Sequence, residues 1–258
     1  RIGMSTQIIN IERLKGLKLA GMVESYTGQI KTPTSEELGF DDRLSLLIER
    51  EVSLRDHRRI SRLVRGAGFP MRAAMVDMDY SSDRKLDKRV IQTLANCGWI
   101  RSKLNAAVVA PTGLGKTWLA CAIGHQACAN GLSVQFWRAS ELYEKIAMAQ
   151  SSNTLPRLKQ ALFKVDLMIL DDFGMAPMPQ HIASVLLDII DKRDGQGALM
   201  VTSQFEPKHW HEVLGQPTVA DALLDRIVHN SIIVTMSGES IRKRRGKAAV
   251  QMSLEGVR

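Results

Sequence analysis

The stretch APTGLGKTWLA, residues 110–120, constrains this chain more than any other. It follows an apolar run, NAAVVA, and opens a helical pattern, KTWLACAIGHQACANG, that closes at Gly131. Strand, glycine-rich turn and helix in that order are what a phosphate-binding loop requires. The first turn of such a helix offers unpaired backbone N–H groups and the positive end of its dipole to an anion. Gly113 and Gly115 let the backbone curl close to the phosphates, Lys116 is expected to reach the β and γ groups, and the Thr117 hydroxyl can ligate Mg2+. Thr112, Leu114 and Trp118 complete the segment expected to line the nucleotide. The usual pattern, G-x-x-x-x-G-K-[ST], has Gly where this chain has Ala110. That glycine eases the turn out of the strand. Alanine is tolerated while its φ stays negative, and Pro111 biases Ala110 towards extended geometry.

Two further segments belong to the same chemistry. VDLMILDD is an apolar strand ending in Asp171 and Asp172, about fifty residues downstream. The first acid at such a strand tip is expected to hold the water shell of magnesium, and the second to orient and polarise an attacking water. LMVTSQ is a strand ending in polar residues, from which Gln204 or Thr202 could contact the γ-phosphate.

The chain falls into two regimes. From Ile11 to about Tyr80 no strand is evident, and apolar residues recur at helical spacing: Ile11, Leu14, Met22, Val23, Tyr26, Phe40, Leu44, Leu47, Ile48. Arg1–Gly3 precede Met4 and are left out of the fold reading. Thr34 with Glu37 has the spacing of a capping box. These features predict a small all-helical domain over residues 1–80. Within it, REVSLRDHRRISRLVRGAGFPMR sets Arg50, Arg55, Arg58, Arg59, Arg62, Arg65 and Arg72 against only Glu51 and Asp56, and GAGFP ends the helix. A run of this kind is either a solvated helix face or a surface for a polyanion.

After a helix within SSDRKLDKRVIQTLANC, short apolar runs alternate with helical patterns. Strands are predicted at 106–110, 133–137, 166–170, 199–203 and 232–236. Helices are predicted at 116–129, 140–149, 181–193 and 219–229, the last capped by Thr218 with Asp221 at the third position. Alternation of this kind predicts a five-stranded parallel sheet covered on both faces, over residues 81–258 with a basic tail.

The balance of the 258 residues is basic, with net charge +8 and a pI of 9.6, compatible with a polyanionic partner. Cys97, Cys121 and Cys128 form neither a disulfide framework nor a zinc pattern, which points to a reducing, cytoplasmic setting; Cys121 and Cys128 are expected in the core. No apolar run reaches the ~18 residues of a membrane span. His209 and His211 flank Trp210 and, two apart on a helix, would point to different faces, against metal binding.

Together, APTGLGKTWLA, LMILDDFG, VTSQFEPKHWHE, ADALLDRIVHN and GESIRK resemble the IstB-like ATPases, helper proteins of bacterial insertion sequences, over residues 38–245. That family is close to the DnaC-type helicase loaders within the AAA+ superfamily. Many members carry Asn where Gln204 stands. The resemblance implies an AAA+ P-loop NTPase core without a separate lid domain. It also implies ATP with Mg2+ bound between subunits of a ring or helical homo-oligomer in the bacterial cytoplasm. By the resemblance, Arg226 is an arginine finger directed at a neighbour's γ-phosphate. The residue-level alternative is a salt bridge with Asp225 or Asp221. Arg242 resembles a second sensor, or is part of a generic basic tail, RKRRGK.

Three functions are compatible with these features. An ATP-dependent assembly on double-stranded DNA that engages a transposase would use Arg55, Arg58, Arg59, Arg62 and Arg65, with the tail, on phosphates. A DnaC-like helicase loader would instead use its N-terminal domain to grip a helicase. A small-molecule kinase would need a lid and an acceptor motif, and neither is evident.

Overall fold

Five apolar runs form five strands: β1 (Asn105–Val109), β2 (Val134–Arg138), β3 (Leu167–Phe173), β4 (Ala198–Ser203) and β5 (Ser231–Thr235). All pair in parallel, in the order β2-β3-β4-β1-β5. The computed structural model describes residues 2–32, 37–80, 86–210 and 217–238. Each observed strand lies within a few residues of its predicted range. β1 and β4 are buried at every position, which is why they read as unbroken apolar runs rather than alternating ones.

The chain divides into a unit of residues 1–62 and a unit of residues 63–258. In the larger one, the two sheet faces carry separate cores. Along β3, Leu167 and Ile169 join Ile91, Leu94, Leu119 and Ile123 on one face. Met168 and Leu170 join Leu142, Ile146, Leu186 and Leu223 on the other, the period-two alternation of a strand. The covering helices are α4 (Lys88–Ala95), α5 (Gly98–Arg101) and α6 (Lys116–Ala129), then α7 (Ala139–Ser151), α8 (Leu155–Phe163), α9 (Gln180–Arg193) and α10 (Pro217–Val228). α6 matches its predicted range. α10 begins at Pro217, whose fixed φ suits the first helical position, so Thr218 lies inside the first turn and is not the cap.

In the smaller unit, α1 (Ile2–Gly16) and α2 (Ala20–Lys31) are followed by α3 (Phe40–Ala67), whose last residues count with the larger unit. Glu51 of α3 is buried and caps α2. Its Oε2 accepts the N–H of Gly21 at 2.7 Å and of Met22 at 3.2 Å, and its Oε1 accepts Arg55 Nε at 2.7 Å. A Cβ on Gly21 would stand 2.6 Å from the Glu51 Cα, so only glycine permits this approach. Burial pushes the Glu51 carboxyl up, but the Arg55 hydrogen bond and the two amides outweigh it and hold it below the usual carboxylate range.

Phe40, Leu44 and Ile48, part of the helical apolar spacing, lie on α3 but are exposed. Residues 63–80 belong with the larger unit: Leu63, Val64, Phe69, Met75 and Tyr80 pack on its core, so the division falls earlier than residue 80. α3 ends at Ala67, ahead of Gly68 at φ +76°, which leaves Arg72 beyond the helix. Thr34 lies outside the described residues. The three cysteines are free and buried, and burial raises Cys97 and Cys128 to about 11 and Cys121 to about 12.

Candidate nucleotide site

In a parallel sheet the carboxyl ends of all strands share one edge, and ligands bind in the crevice there. The order β3-β4-β1 places three of the sequence motifs side by side at that edge.

After β1 the Ala110 N–H still donates to Ser203 O at 3.1 Å, and Ala110 keeps a negative φ. The departure from glycine is therefore accommodated by an extra ladder bond. Gly113 and Gly115 both take left-handed conformations, φ +85° and +86°. They turn the loop back on itself, with Leu114 buried beneath it. Lys116, at the first position of α6, is buried and donates from Nζ to Ala110 O at 2.8 Å and Pro111 O at 3.2 Å. Burial pulls its pKa down, against the attraction of Asp172 and Asp171. Trp118 packs on the α6 core. The Thr112 hydroxyl donates to Gln204 Oε1 at 2.7 Å, so the loop after β1 meets the end of β4.

The tip of β3 holds a feature absent from the sequence reading. Leu170 pairs with Val201 and Phe173 with Ser203, so β3 advances three residues where β4 advances two. One residue is extra, a β-bulge, and Asp172 at φ +57° takes the left-handed conformation there. Asp171, fully buried, accepts the Thr117 hydroxyl on Oδ2 at 2.9 Å and the Thr202 hydroxyl on Oδ1 at 2.5 Å. Burial pushes its carboxyl up, with Thr202 and Thr117 pulling it back and the charge of Asp172 adding to the rise. The Asp172 N–H donates to Thr202 Oγ1 at 3.1 Å. Beyond the bulge, Phe173 packs edge-on to buried Trp210, ring centroids 4.8 Å apart.

Thr117 and Asp171 present a hydroxyl and a carboxylate, two hard oxygens at a helix start. That donor set suits Mg2+, which takes few protein ligands and completes its shell with water and phosphate oxygens. Among the described residues no group of three or more His, Cys, Asp and Glu side chains could hold a metal. His209 ends a short 3-10 turn, and His211 is outside the described residues.

Arg226, in the last turn of α10, is about half exposed. It donates from Nε to Asp191 Oδ1 at 2.8 Å and from Nη1 to Asp225 Oδ2 at 3.1 Å. The salt bridge to Asp225 read from the sequence exists, and Asp191 of α9 adds a second. The Arg226 carbonyl accepts Asn105 Nδ2 at 3.0 Å, which fixes it at the amino end of β1. Five residues of strand, about 16 Å at ~3.3 Å per residue, separate that point from the loop. Arg242 lies outside the described residues.

On α3, Arg55, Arg58, Arg59, Arg62 and Arg65 are exposed and fall within about 120° of the helix surface at ~100° per residue. Arg55 is held by Glu51, and Arg59 is 3.6 Å from Asp56. Arg58 and Arg62 have no ion pair among the described residues.

A five-stranded parallel sheet in this order, with a phosphate loop after β1 and acids at the tip of β3, defines an AAA+ type P-loop core. The chain matches the IstB-like ATP binding protein family over residues 12–249, and it belongs to that family. A Sinorhizobium fredii protein named as an insertion sequence ATP-binding protein, y4pL, is 39% identical over 90% of this chain and 95% of its own. The Pseudomonas fluorescens insertion sequence IS1162 ATP-binding protein is 41% identical over 75% of this chain and 84% of its own. The solved structure of AMPPCP-bound DnaA from Aquifex aeolicus superposes with a TM-score of 0.56 at 17% identity, over 72% of this chain and 56% of that one.

Proposed function

We propose that this protein binds and hydrolyses ATP as a transposition helper, assembling on double-stranded DNA and presenting itself there to a transposase. The observation that carries the reading is the hydrogen-bonded chain Thr117–Asp171–Thr202–Asp172, which joins the phosphate loop, the tip of β3 and β4 into one site. Relatives at about 40% identity named for insertion sequences supply the biological setting.

The amides of residues 113–117 and the Lys116 ammonium would take the phosphates. Thr117 and Asp171 would hold Mg2+, which supplies neutralisation of the charge on the β and γ oxygens. Asp172, carried on the bulge at the tip of β3, would orient water for in-line attack at the γ-phosphorus and draw off its proton. The bond to the bridging oxygen breaks, leaving ADP and phosphate. Gln204, whose Oε1 accepts the Thr112 hydroxyl, would be the sensor; the reading is supported by the burial of the Thr202 hydroxyl, which is engaged with Asp171 and Asp172. Arg226 would leave Asp191 and Asp225 to stabilise transition-state charge on a neighbour's nucleotide. Arg58 and Arg62 would meet DNA phosphates, with Arg59 and Arg65 beside them.

Electron microscopy of the protein with a duplex and a non-hydrolysable ATP analogue tests this reading. Rings or helical filaments that need both ligands are expected. Monomers in all conditions would overturn the assembly, and a small-molecule kinase would behave in that way.

A further inference from the structure

We infer that Thr202 is a positioning residue that sets both acids of the site from the neighbouring strand. The inference rests on the reading of that site as an ATP-hydrolysing centre. A threonine hydroxyl has one proton to give and lone pairs to receive. At Thr202 both are spent on consecutive residues of β3. The proton goes to Asp171 Oδ1 at 2.5 Å, and the oxygen takes the Asp172 N–H at 3.1 Å.

The first bond leaves Asp171 Oδ2 facing Thr117, the partner with which it would share a cation. The second satisfies the amide that the bulge withdraws from the β3–β4 ladder, and so holds Asp172 in its left-handed turn. Without that bond the bulge has a part-buried amide to satisfy elsewhere, and the left-handed turn that sets the Asp172 side chain loses its support. Thr202 is fully buried on a strand whose every position is buried, so it meets the acids without meeting the nucleotide. It therefore acts through them. Serine keeps both bonds; valine keeps the shape and loses both.

The test compares wild type, Thr202→Val and Thr202→Ser in the full chain, with duplex present. ATP turnover is measured alongside the affinity of a fluorescent ATP analogue with and without Mg2+. Thermal melts show which variants are folded, and Thr202→Ala replaces valine if valine disturbs the core. The expected result for Thr202→Val is analogue affinity within about threefold of wild type in the absence of Mg2+. The tightening that Mg2+ gives should shrink, and kcat should fall about 10- to 100-fold, the scale of a misplacement near 1 Å. Thr202→Ser should recover most of the loss.

Valine and alanine variants with wild-type turnover and Mg2+ response would overturn the inference while leaving the hydrolytic site intact. So would an equal loss in the serine variant, which would trace the effect to packing of the methyl group. Wild-type protein without ATP turnover, or unaffected by Asp172→Asn, would overturn the reading of the site and this inference with it.

Discussion

If α3 meets DNA, its ion pairs divide the arginines engaged within the fold from those without an ion pair among the described residues, and the difference is measurable. Arg55 is bound to the buried Glu51 and Arg59 stands near Asp56, whereas Arg58 and Arg62 have no ion pair among the described residues. Each phosphate neutralised by a cation releases counterions and steepens the dependence of log affinity on log salt by about 0.9. If Arg58 and Arg62 each contact one phosphate, Arg58→Ala/Arg62→Ala removes about 1.8 from that slope. Between about 50 and about 200 mM salt, wild-type affinity then falls about twelvefold more than that of the double variant. Fluorescence anisotropy with two unrelated duplexes, in the presence of an ATP analogue, reads both numbers, and the change should be the same for both sequences. Arg55→Ala is the counterpart: its main effect should be a lower melting temperature. A double variant with the wild-type slope refutes the placement of DNA on this helix and moves it to the ATPase core or the basic tail.

Lys116→Ala should abolish binding of a fluorescent ATP analogue, whereas Asp172→Asn should bind it normally and lose turnover; equal hydrolysis by wild type and Asp172→Asn removes Asp172 from the chemistry. Arg226→Ala should hydrolyse poorly alone and recover in part when mixed with Lys116→Ala subunits, which still carry the arginine. No recovery in mixed assemblies shown to form places Arg226 within its own site. Glu51→Gln should cost about 2–3 kcal/mol, because the bonds that two backbone amides and the Arg55 guanidinium give to one buried carboxylate are weakened together. The Glu51 carboxyl is depressed on folding, so its contribution is full above the ordinary glutamate range and is lost as pH falls through the lowered value. Acid melts of wild type should therefore lose more stability than those of Glu51→Gln, and parallel pH curves would refute this.

The sheet was legible in the sequence because a central strand buried on both faces reads as a largely apolar run, as β1, β3 and β4 do, and the edge strands β2 and β5 still carry short apolar stretches between helical patterns. The phosphate loop was legible because its geometry depends on residues adjacent in the chain. What was not legible depends on partners far away. Glu51 reads as a counter-charge among arginines, yet it caps a helix thirty positions earlier, and only the approach of Gly21 makes that possible. The bulge at Asp172 exists only as a mismatch between β3 and β4, and nothing in LMILDDFG counts the residues of LMVTSQ. α8 lies outside the predicted helices; it carries Pro156 in its first turn, where proline costs no hydrogen bond. Buried Arg193 is hidden for the same reason of distance: its guanidinium donates to the carbonyls of Leu162, Val165 and Ala198, and burial pulls it down to about 10.

The parallel sheet also explains why hydrolysis would belong to an assembly. Every helix that returns to a parallel sheet ends at the amino edge, because the next strand must start there. α10 leads into β5, so its last turn, with Arg226, is at the edge opposite the phosphate loop. Asn105 makes this rigid, giving Nδ2 to the Arg226 carbonyl and taking the Leu199 N–H on Oδ1. An arginine fixed there serves a nucleotide only where the amino edge of one copy meets the carboxyl edge of the next. Such a contact uses two different surfaces, and repeated, it either closes into a ring or continues as a helix. Each copy added along a duplex would bring another Arg58 and Arg62 to the phosphates and complete the nucleotide site of its neighbour. DNA length and ATP turnover would then be coupled, and turnover per subunit, measured on duplexes of increasing length, is expected to rise until the assembly is filled; turnover independent of length would refute the coupling.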